Sequence, residues 1–265
     1  SVAIQSTLAW MLGPDGRGSY AVCLLFSMLL GVVFTFGTDR AGQYFAASGK
    51  IPLERALPYT EYTLSVGASL AVVIGYFLTR SGAAFLDKAD HSSFLVALAV
   101  IPIVIFHNAF IALLVGLRRI GWMAVVTIVN VAVQLAAAVV LVWGLGMGVN
   151  GALAAVIVAG VASIGMSLGY LRRAGALGAC RVAASDYRAL VSYGLRYLVA
   201  KFSNIFYFRV GTVVLAFFVD PAGIGLFAAA STLISRVIMI PQGLEPVLFP
   251  RVAGDLSSTA TQVQL

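Results

Sequence analysis

Apolar runs long enough to cross a bilayer recur along the whole chain. A transmembrane helix needs about 20 consecutive, mostly apolar residues, and polar breaks separate seven runs of at least that length. Only 10% of the residues are charged, whereas a soluble domain carries about 25%. The sequence therefore predicts an all-α, polytopic transmembrane helical bundle, with full spans at 19–48, 58–80, 93–117, 121–143, 149–171, 190–219 and 222–249.

A shorter apolar stretch at 2–12 precedes these seven runs. It is too short to cross a bilayer, and no small-residue cleavage site of the kind that ends a signal peptide follows it. We interpret it as the end of a truncated first span, and we expect the chain to be a fragment of a longer protein. None of the breaks between the runs is long enough to hold a soluble catalytic domain.

Basic residues are unevenly divided between alternate breaks. One set of breaks holds nine and the other holds three, Arg17, Arg80 and Lys88. Because positive charge stays on the cytoplasmic side, the larger set is predicted to be cytoplasmic and to face anionic lipid headgroups. These loop residues supply most of the +7 net charge, so nucleic-acid binding is not needed to explain it. The larger set is Lys50, Arg55, Arg118, Arg119, Arg172, Arg173, Arg181, Arg188 and Arg251.

Two short segments repeat at a distance of 207 residues. The segment Pro14-Asp-Gly-Arg-Gly aligns with Pro221-Ala-Gly-Ile-Gly, with identical Pro and Gly positions. Six predicted spans separate the copies, so both would enter the membrane in the same sense, as in a parallel repeat of two lobes. The alternative is that Pro and Gly simply recur at outer turns. The predicted domains are an N-terminal six-helix lobe at 1–171, a cytoplasmic inter-lobe loop at 172–189, and the start of a C-terminal lobe at 190–265.

Five basic residues lie inside the predicted spans: Arg40, Arg196, Lys201, Arg209 and Arg236. Each would cost about 2.5 to 3.5 kcal/mol at the centre of a lipid-facing helix, so we expect them to face protein, water or the membrane surface. Arg196 lies near the cytoplasmic end of its span and is expected to snorkel to the headgroups. Lys201 and Arg209 are about 80° apart on an α-helix and share a face.

Several segments together resemble the polysaccharide flippases, the O-antigen or oligosaccharide translocases. They belong to the multidrug/oligosaccharidyl-lipid/polysaccharide flippase superfamily, with the lipid II flippases and the multidrug and toxin extrusion transporters. The resemblance covers essentially the whole chain, in the correct order and spacing. The segments are Leu12-Gly-Pro-Asp-Gly-Arg-Gly-Ser-Tyr20, Gly225-Leu-Phe-Ala-Ala-Ala230, Arg236, Ile240-Pro241 and Leu248-Phe-Pro-Arg-Val-Ala253.

This resemblance implies two six-helix lobes around a central cavity. It also implies a function: moving an undecaprenyl-diphosphate-linked oligosaccharide from the cytoplasmic to the outer leaflet of a bacterial inner membrane, for cell-surface polysaccharide synthesis. In lipid II flippases, a cavity-lining arginine precedes a proline by five residues in the corresponding span. Arg236 and Pro241 match that pattern.

The basic residues within the spans are the candidate substrate site. Guanidinium and ammonium groups can replace water around a diphosphate through charge-assisted hydrogen bonds. We therefore predict that the lipid-linked diphosphate contacts Arg236, Arg209, Lys201 and Arg40. Two acids in the spans, Asp39 and Glu245, are candidates either for binding a proton or monovalent cation or for structural pairing. No metal or other cofactor is predicted.

The chain departs from the family pattern at one position. Many relatives have Arg-x-Asp in the seventh span, where this chain has Arg209-Val-Gly211. Arg209 therefore lacks that local acidic partner, and no ion-coupling role is carried over to this position.

Two other functional classes fit parts of the sequence. The run Gly37-Thr-Asp-Arg-Ala-Gly42 is similar to the Asp-Arg-x-Gly element of major facilitator transporters, which would make the chain a major facilitator or multidrug exporter with an aromatic or acidic lining. A non-transporting membrane assembly subunit would instead pair its buried basic residues with acids. The sequence contains no phosphate-binding Gly-rich loop with its Lys and no metal-ligand spacing, so an enzyme is not predicted.

Uncharged polar and small residues in the spans predict helix packing. Polar side chains within membranes more often hydrogen-bond between helices than bind ligands. We expect that role for Asn130, Gln134, His107 and Asn108. The glycines at 160, 165 and 169 are expected to be close-packing positions.

The charge distribution generates a topology prediction. Cysteines placed at Ala176 and at Ala89 should react with membrane-impermeant reagents from opposite sides of the membrane. Accessibility is measured in intact cells and in inverted vesicles. Labelling of both positions from the periplasm would contradict the orientation.

Overall fold

A computed structural model describes residues 2–48, 50, 53–80, 88–173, 184–231 and 234 of the chain. Every regular element in these ranges is helical, which confirms the all-α prediction for this part of the chain. A π-helical segment, Val139–Gly144, extends the fifth helix. The helices are α1 (Val2–Phe34), α2 (Thr38–Ser48), α3 (Leu53–Thr79), α4 (His91–Gly116), α5 (Ile120–Ala138), α6 (Gly148–Arg173), α7 (Ala184–Phe218) and α8 (Pro221–Ser231).

Within these ranges, five helical segments are long and apolar enough to cross a membrane. α7 is a sixth candidate, bent by 62° between Asp186–Asn204 and Arg209–Phe218. The last predicted run, 222–249, lies mostly outside the described residues, so the total of seven spans stays a prediction. The five segments are Trp10–Phe34, Leu57–Thr79, His91–Gly116, Ile120–Gly144 and Gly148–Arg173.

The predicted span 19–48 is interrupted in the structure. Phe36 and Gly37 adopt positive φ angles of 49° and 66°, which ends α1 and reorients the chain into α2. A Cβ at Gly37 would overlap the backbone carbonyl of Gly194 in α7. The expected uninterrupted helix is therefore wrong here, because the chain turns at the point where its backbone contacts α7.

The predicted turn at 12–18 is much tighter than expected. Only Gly13 leaves the helical conformation, with φ 66° and ψ −178°. Pro14 follows directly and occupies the first position of the resumed helix, where its fixed φ is compatible and its missing N–H costs nothing. The apolar stretch at 2–12 is therefore helical and continues into the rest of α1 through a single kink at Gly13.

The helix ends form two groups. Leu57, Leu113 and Leu171 cluster at one end of α3, α4 and α6; we call this the basic end because Arg118, Arg119, Arg172 and Arg173 lie there. At the opposite end, the turn end, the Ser19 hydroxyl donates to the Lys88 carbonyl at 2.8 Å, and Ser93 donates to Asn150 at 2.8 Å. The described segments predicted to be cytoplasmic and external thus separate to opposite ends.

The main apolar core joins α1, α4 and α6. Phe26 and Phe94 meet edge to face, with ring centroids 5.6 Å apart. The Ser27 hydroxyl donates to the Ala97 carbonyl at 2.8 Å, which gives a polar contact between α1 and α4 within the core. By contrast, α5 has only two buried residues, Val126 and Ala138, so most of its surface remains exposed to its surroundings.

Polar and small side chains hold α4, α5 and α6 together. Ser163 receives a hydrogen bond from the Asn130 side chain at 2.9 Å and lies 3.1 Å from His107 Nδ1. These contacts confirm the packing role expected of Asn130 and His107. A Cβ at Gly160 would overlap Ile103, so this glycine also permits close packing. The same expectation is wrong for the glycines at 165 and 169, which face open space.

The two repeated Pro-Gly segments contact each other at the turn end. A Cβ at Gly18 would overlap the carbonyl oxygen of Pro221, and a Cβ at Gly225 would overlap the carbonyl oxygen of Pro14. Under the 207-residue alignment, Pro14 corresponds to Pro221 and Gly18 to Gly225. The two contacts are therefore counterparts of each other, and each uses a glycine to bring the α1 and α8 backbones together.

This contact predicts that Gly18→Ala lowers the thermal unfolding temperature of the purified protein. The added methyl group would force the α1 and α8 backbones apart, and such overpacking costs about 1 to 3 kcal/mol. The matched control is Gly144→Ala, because its new Cβ would meet no atom within 4 Å. An unfolding temperature for Gly18→Ala at or above that of the control would contradict the close contact.

Candidate functional site

A line of three cavities follows the surface where α1 and α2 pack against α7; we call this surface the seam. The largest, the basic-end cavity, has a volume of about 670 Å³ and is lined by residues of α2, α4 and α7. A middle cavity of about 60 Å³ shares Asn108 and Lys201 with it. A turn-end cavity of about 80 Å³ shares Met28 with the middle one. Each cavity therefore neighbours the next one along the seam.

The basic-end cavity contains three of the residues predicted from the sequence, Asp39, Arg40 and Lys201. Its volume falls within the range of about 300 to 1,000 Å³ that is usual for ligand pockets. Asn108 and Asn204 add polar groups to its lining. Helix α2 can contribute two adjacent charged residues because the break at Gly37 reorients it relative to α1.

Lys201 and Asp39 form an ion pair across the seam. The Lys201 Nζ lies 2.7 Å from Asp39 Oδ2, and the side chains are only 15% and 6% exposed. Lys201 also lies 3.5 Å from the Thr35 hydroxyl. Each charge compensates the other in a site that excludes much of the water. The pair joins α2 of the predicted first lobe to α7 of the predicted second lobe.

Arg40 also lines the basic-end cavity, but among the described residues it contacts neutral groups and not a carboxylate. It donates to the Gln43 side chain at 2.6 Å, and its guanidinium lies 5.8 Å from the centre of the Tyr197 ring. In the part of the chain that the structure describes, Arg40 forms no ion pair. Its positive charge is therefore compensated only by neutral groups, and its exposed side chain can reach a ligand in the cavity.

Arg209 lies at the other end of the seam, in the turn-end cavity, with Arg17. Two arginines line this small volume, together with Tyr20 and Thr212, and no acid is among the described lining residues. The structure thus places Lys201 and Arg209 on the same seam, as their common helix face suggests, but in different cavities. Gly211, the position at which the resemblance implies an acid, packs against the Phe227 ring of α8.

Arg17 lines the turn-end cavity but was not among the site residues predicted from the sequence. It was grouped with exposed loop charges, yet it is only 9% exposed and faces α7. A signal was present, because the 207-residue alignment matches Arg17 with Ile224, which is fully buried. An apolar residue in the equivalent position of the second copy indicates an inward-facing site. The other two predicted residues, Arg236 and Glu245, lie outside the described residues.

Comparisons with known proteins agree with this architecture. A family model described as "Polysaccharide biosynthesis protein" matches residues 5–253. The chain belongs to this family. Together with the long apolar helices, membership makes the chain a multi-pass membrane protein of polysaccharide biosynthesis, in a family that includes flippases.

One solved structure shows the same fold. It is described as "protein A" and superimposes with a TM-score of 0.71 at 15% sequence identity, over 93% of this chain. The match covers 61% of that protein, so this chain spans less than two thirds of its length. Among curated proteins, none matches the chain.

The ion pair generates a stability prediction. Lys201→Met should leave Asp39 as an uncompensated buried charge, at a cost of about 3 to 5 kcal/mol, and should lower the thermal unfolding temperature. Adding Asp39→Asn to Lys201→Met should recover most of that loss. Arg196→Met is the matched control, since Arg196 is an exposed basic residue on the same helix. Equal unfolding temperatures for Lys201→Met and the control would show that the pair does not stabilise the fold.

Proposed function

We propose that this chain is part of a flippase that moves an undecaprenyl-diphosphate-linked oligosaccharide from the cytoplasmic to the outer leaflet of a bacterial inner membrane. The observation that carries the proposal is the line of cavities along the seam, with basic side chains at both of its ends. A diphosphate is the part of such a lipid that crosses the membrane least readily, because removing its charges from water is costly. Membership of the polysaccharide biosynthesis family supports the same substrate class.

Arg40 is proposed to receive the diphosphate at the basic end. Its guanidinium has no carboxylate partner among the described residues, and its hydrogen bond to Gln43 can be exchanged for one to a phosphate oxygen. Charge-assisted bonds from arginine to phosphate are roughly twice as strong as neutral ones. The predicted cytoplasmic orientation of the basic end would make this the side on which the substrate is loaded.

Arg17 and Arg209 are proposed to bind the diphosphate near the turn end. The middle cavity that separates them from Arg40 is lined mostly by apolar residues, among them Met28, Val104 and Ile105. A diphosphate would therefore be stabilised at the two ends of the seam and disfavoured between them. Such an arrangement allows binding on one side and release on the other, provided that the helices move to widen the middle cavity.

Lys201 is proposed to contact the substrate only when its ion pair with Asp39 breaks. It lines both the basic-end and the middle cavities, at the point where a passing anion would compete with Asp39. When the anion takes Lys201, Asp39 would be left as a buried carboxylate that gains from binding a proton or a monovalent cation. This exchange is our proposal for how a coupling ion could act at Asp39.

Arg236 and Glu245 are proposed to complete the site from the last predicted span. The resemblance to lipid II flippases implies that Arg236 lines the cavity and contacts the diphosphate. Glu245 would bind a proton or cation, or pair with a basic residue of the opposite lobe.

The seam favours a flippase over the two alternatives. An exporter with an acidic lining fits poorly, because Asp39 is the one acid among the described lining residues of the three cavities and it is compensated by Lys201. An assembly subunit would have paired its basic residues with acids. Lys201 is paired in this way, but neither Arg40 nor Arg209 forms an ion pair within the described ranges.

Export measurements on the complete protein test the proposal. In a strain that lacks its own flippase, Arg40→Gln and Arg209→Gln should each reduce glycan export roughly tenfold or more, because a hydrogen bond to a charged group contributes about 1.5 to 3 kcal/mol. Arg40→Lys should retain part of the activity, since it keeps the charge but loses the planar fork.

The control is Arg196→Gln, which removes an exposed basic residue of α7 outside the three cavities. Membrane abundance is measured beside export for every variant, so that loss of protein is separated from loss of transport. Wild-type export by both Arg40→Gln and Arg209→Gln would show that the seam is not the substrate path.

A further inference from the structure

A second basic cavity lies away from the seam, between the start of α5 and the end of α6. Its volume is about 560 Å³, and it is lined by Arg119, Trp122, Tyr170 and Arg173, with Met166 and Gly169. None of these residues lines the three cavities of the seam. The proposed transport path therefore gives this cavity no role.

The chemistry of the cavity is that of an anion site with aromatic walls. Arg119 and Arg173 provide two positive charges, and neither forms an ion pair within the described residues. The Trp122 and Tyr170 rings stack, with centroids 5.2 Å apart and an interplanar angle of 26°. The Trp122 indole N–H is buried and has no hydrogen-bond partner in the described part of the chain. A buried donor without a partner is costly, so the site has a position for an acceptor oxygen.

Backbone features also favour an anion in this cavity. α5 begins without a side-chain cap, so the amides of its first turn remain available, and helix N-termini favour negative charge. Gly169 contributes open space, because a Cβ there would meet no atom within 4 Å. The cavity therefore combines cationic side chains, an N–H donor and room beside the glycine.

The position of the cavity indicates that an anion bound there would come from the surrounding lipid. Arg119 precedes the span Ile120–Gly144, and Arg173 ends the span Gly148–Arg173, so the cavity lies at the level of the lipid headgroups. Few residues of α5 are buried, which leaves the cavity next to the surrounding lipid. Trp and Tyr are the side chains that prefer this interface.

We propose that this cavity binds the phosphodiester headgroup of an anionic phospholipid from the surrounding bilayer. The two arginines and the indole N–H contact the phosphate oxygens, and the stacked rings with Met166 contact the glycerol and upper acyl carbons. A free phosphate ion shares the charge but not the apolar part. The site holds a resident lipid and is separate from the transported substrate.

Tryptophan fluorescence can test this site directly, because the span Ile120–Gly144 has one tryptophan near each end. The full chain is reconstituted in vesicles with Trp122 as the single tryptophan, after Trp10→Phe and Trp143→Phe. Its quenching by brominated phosphatidylglycerol is compared with quenching by brominated phosphatidylcholine. We expect the anionic lipid to bind beside Trp122 roughly five- to twenty-fivefold more strongly, since each of the two basic residues adds up to about a fivefold preference. The matched reporter retains only Trp143, which is 75% exposed at the other end of the helix and should show a ratio of about one.

Two sets of variants distinguish lipid binding in the cavity from general attraction of the lipid to surface charge. Arg119→Gln with Arg173→Gln should reduce the Trp122 ratio to about one, whereas Arg118→Gln, which removes a neighbouring charge outside the cavity lining, should change it much less. Gly169→Leu should fill the cavity and lower the ratio, while Gly165→Leu, one turn away and also facing open space, should not.

Three results would overturn the proposal. Equal quenching by the two lipids at Trp122 would show that there is no anionic lipid site. Equal effects of Arg118→Gln and the paired arginine variants would show general surface attraction instead. Loss of the preference on addition of inorganic phosphate would identify a soluble anion as the ligand. None of these measurements depends on whether the seam transports a glycan.

Discussion

The cost of removing charge from water dominates the structure of this chain. Only 10% of its residues are charged, and several of those within the described helices lie beside a partner or a cavity. Lys201 has Asp39 at 2.7 Å, Arg40 has the Gln43 oxygen and the Tyr197 ring, and Arg17 and Arg209 share a small cavity beside Thr212. All of these environments lie on the seam, so the requirement to compensate charge and the proposed path for an anion coincide.

The seam itself depends on breaks in the backbone. The turn at Phe36 and Gly37 separates α2 from α1 and brings Asp39 and Arg40 to face α7. Close glycine contacts lie toward each end, between Gly37 and Gly194 and between Gly18 and Pro221. Because no side chain separates the backbones at these points, the turn after α1 is held against α7, and α1 is held against the start of α8, while cavities remain along the seam. The basic residues are thus placed along one line by contacts of the main chain.

Arginine has different proposed uses on the seam and in the cavity between α5 and α6. Arginines on the seam line cavities between helices, and a transported anion must leave them again, so their affinity for it has to be limited. Arg119 and Arg173 lie at the headgroup level, where a lipid phosphate is already partly dehydrated and does not need to be released. A transported anion and a resident lipid can therefore be recognised by similar groups in different cavities.

Local sequence properties determined the class of fold and most of its helices. Apolar length and charge scarcity predicted α3 to α6 within a few residues, because a bilayer tolerates only helices whose backbone groups are satisfied internally. The unfavourable energy of charge in lipid also selected Arg40, Lys201 and Arg209 as residues facing an interior. Tertiary structure alone decided their partners. Whether Asp39 compensates Arg40 or Lys201 depends on how α2 turns at Gly37, and the burial of Arg17 depends on how α1 packs against α7 and α8. These outcomes depend on contacts between residues more than a hundred positions apart, which apolar periodicity and charge counts cannot specify.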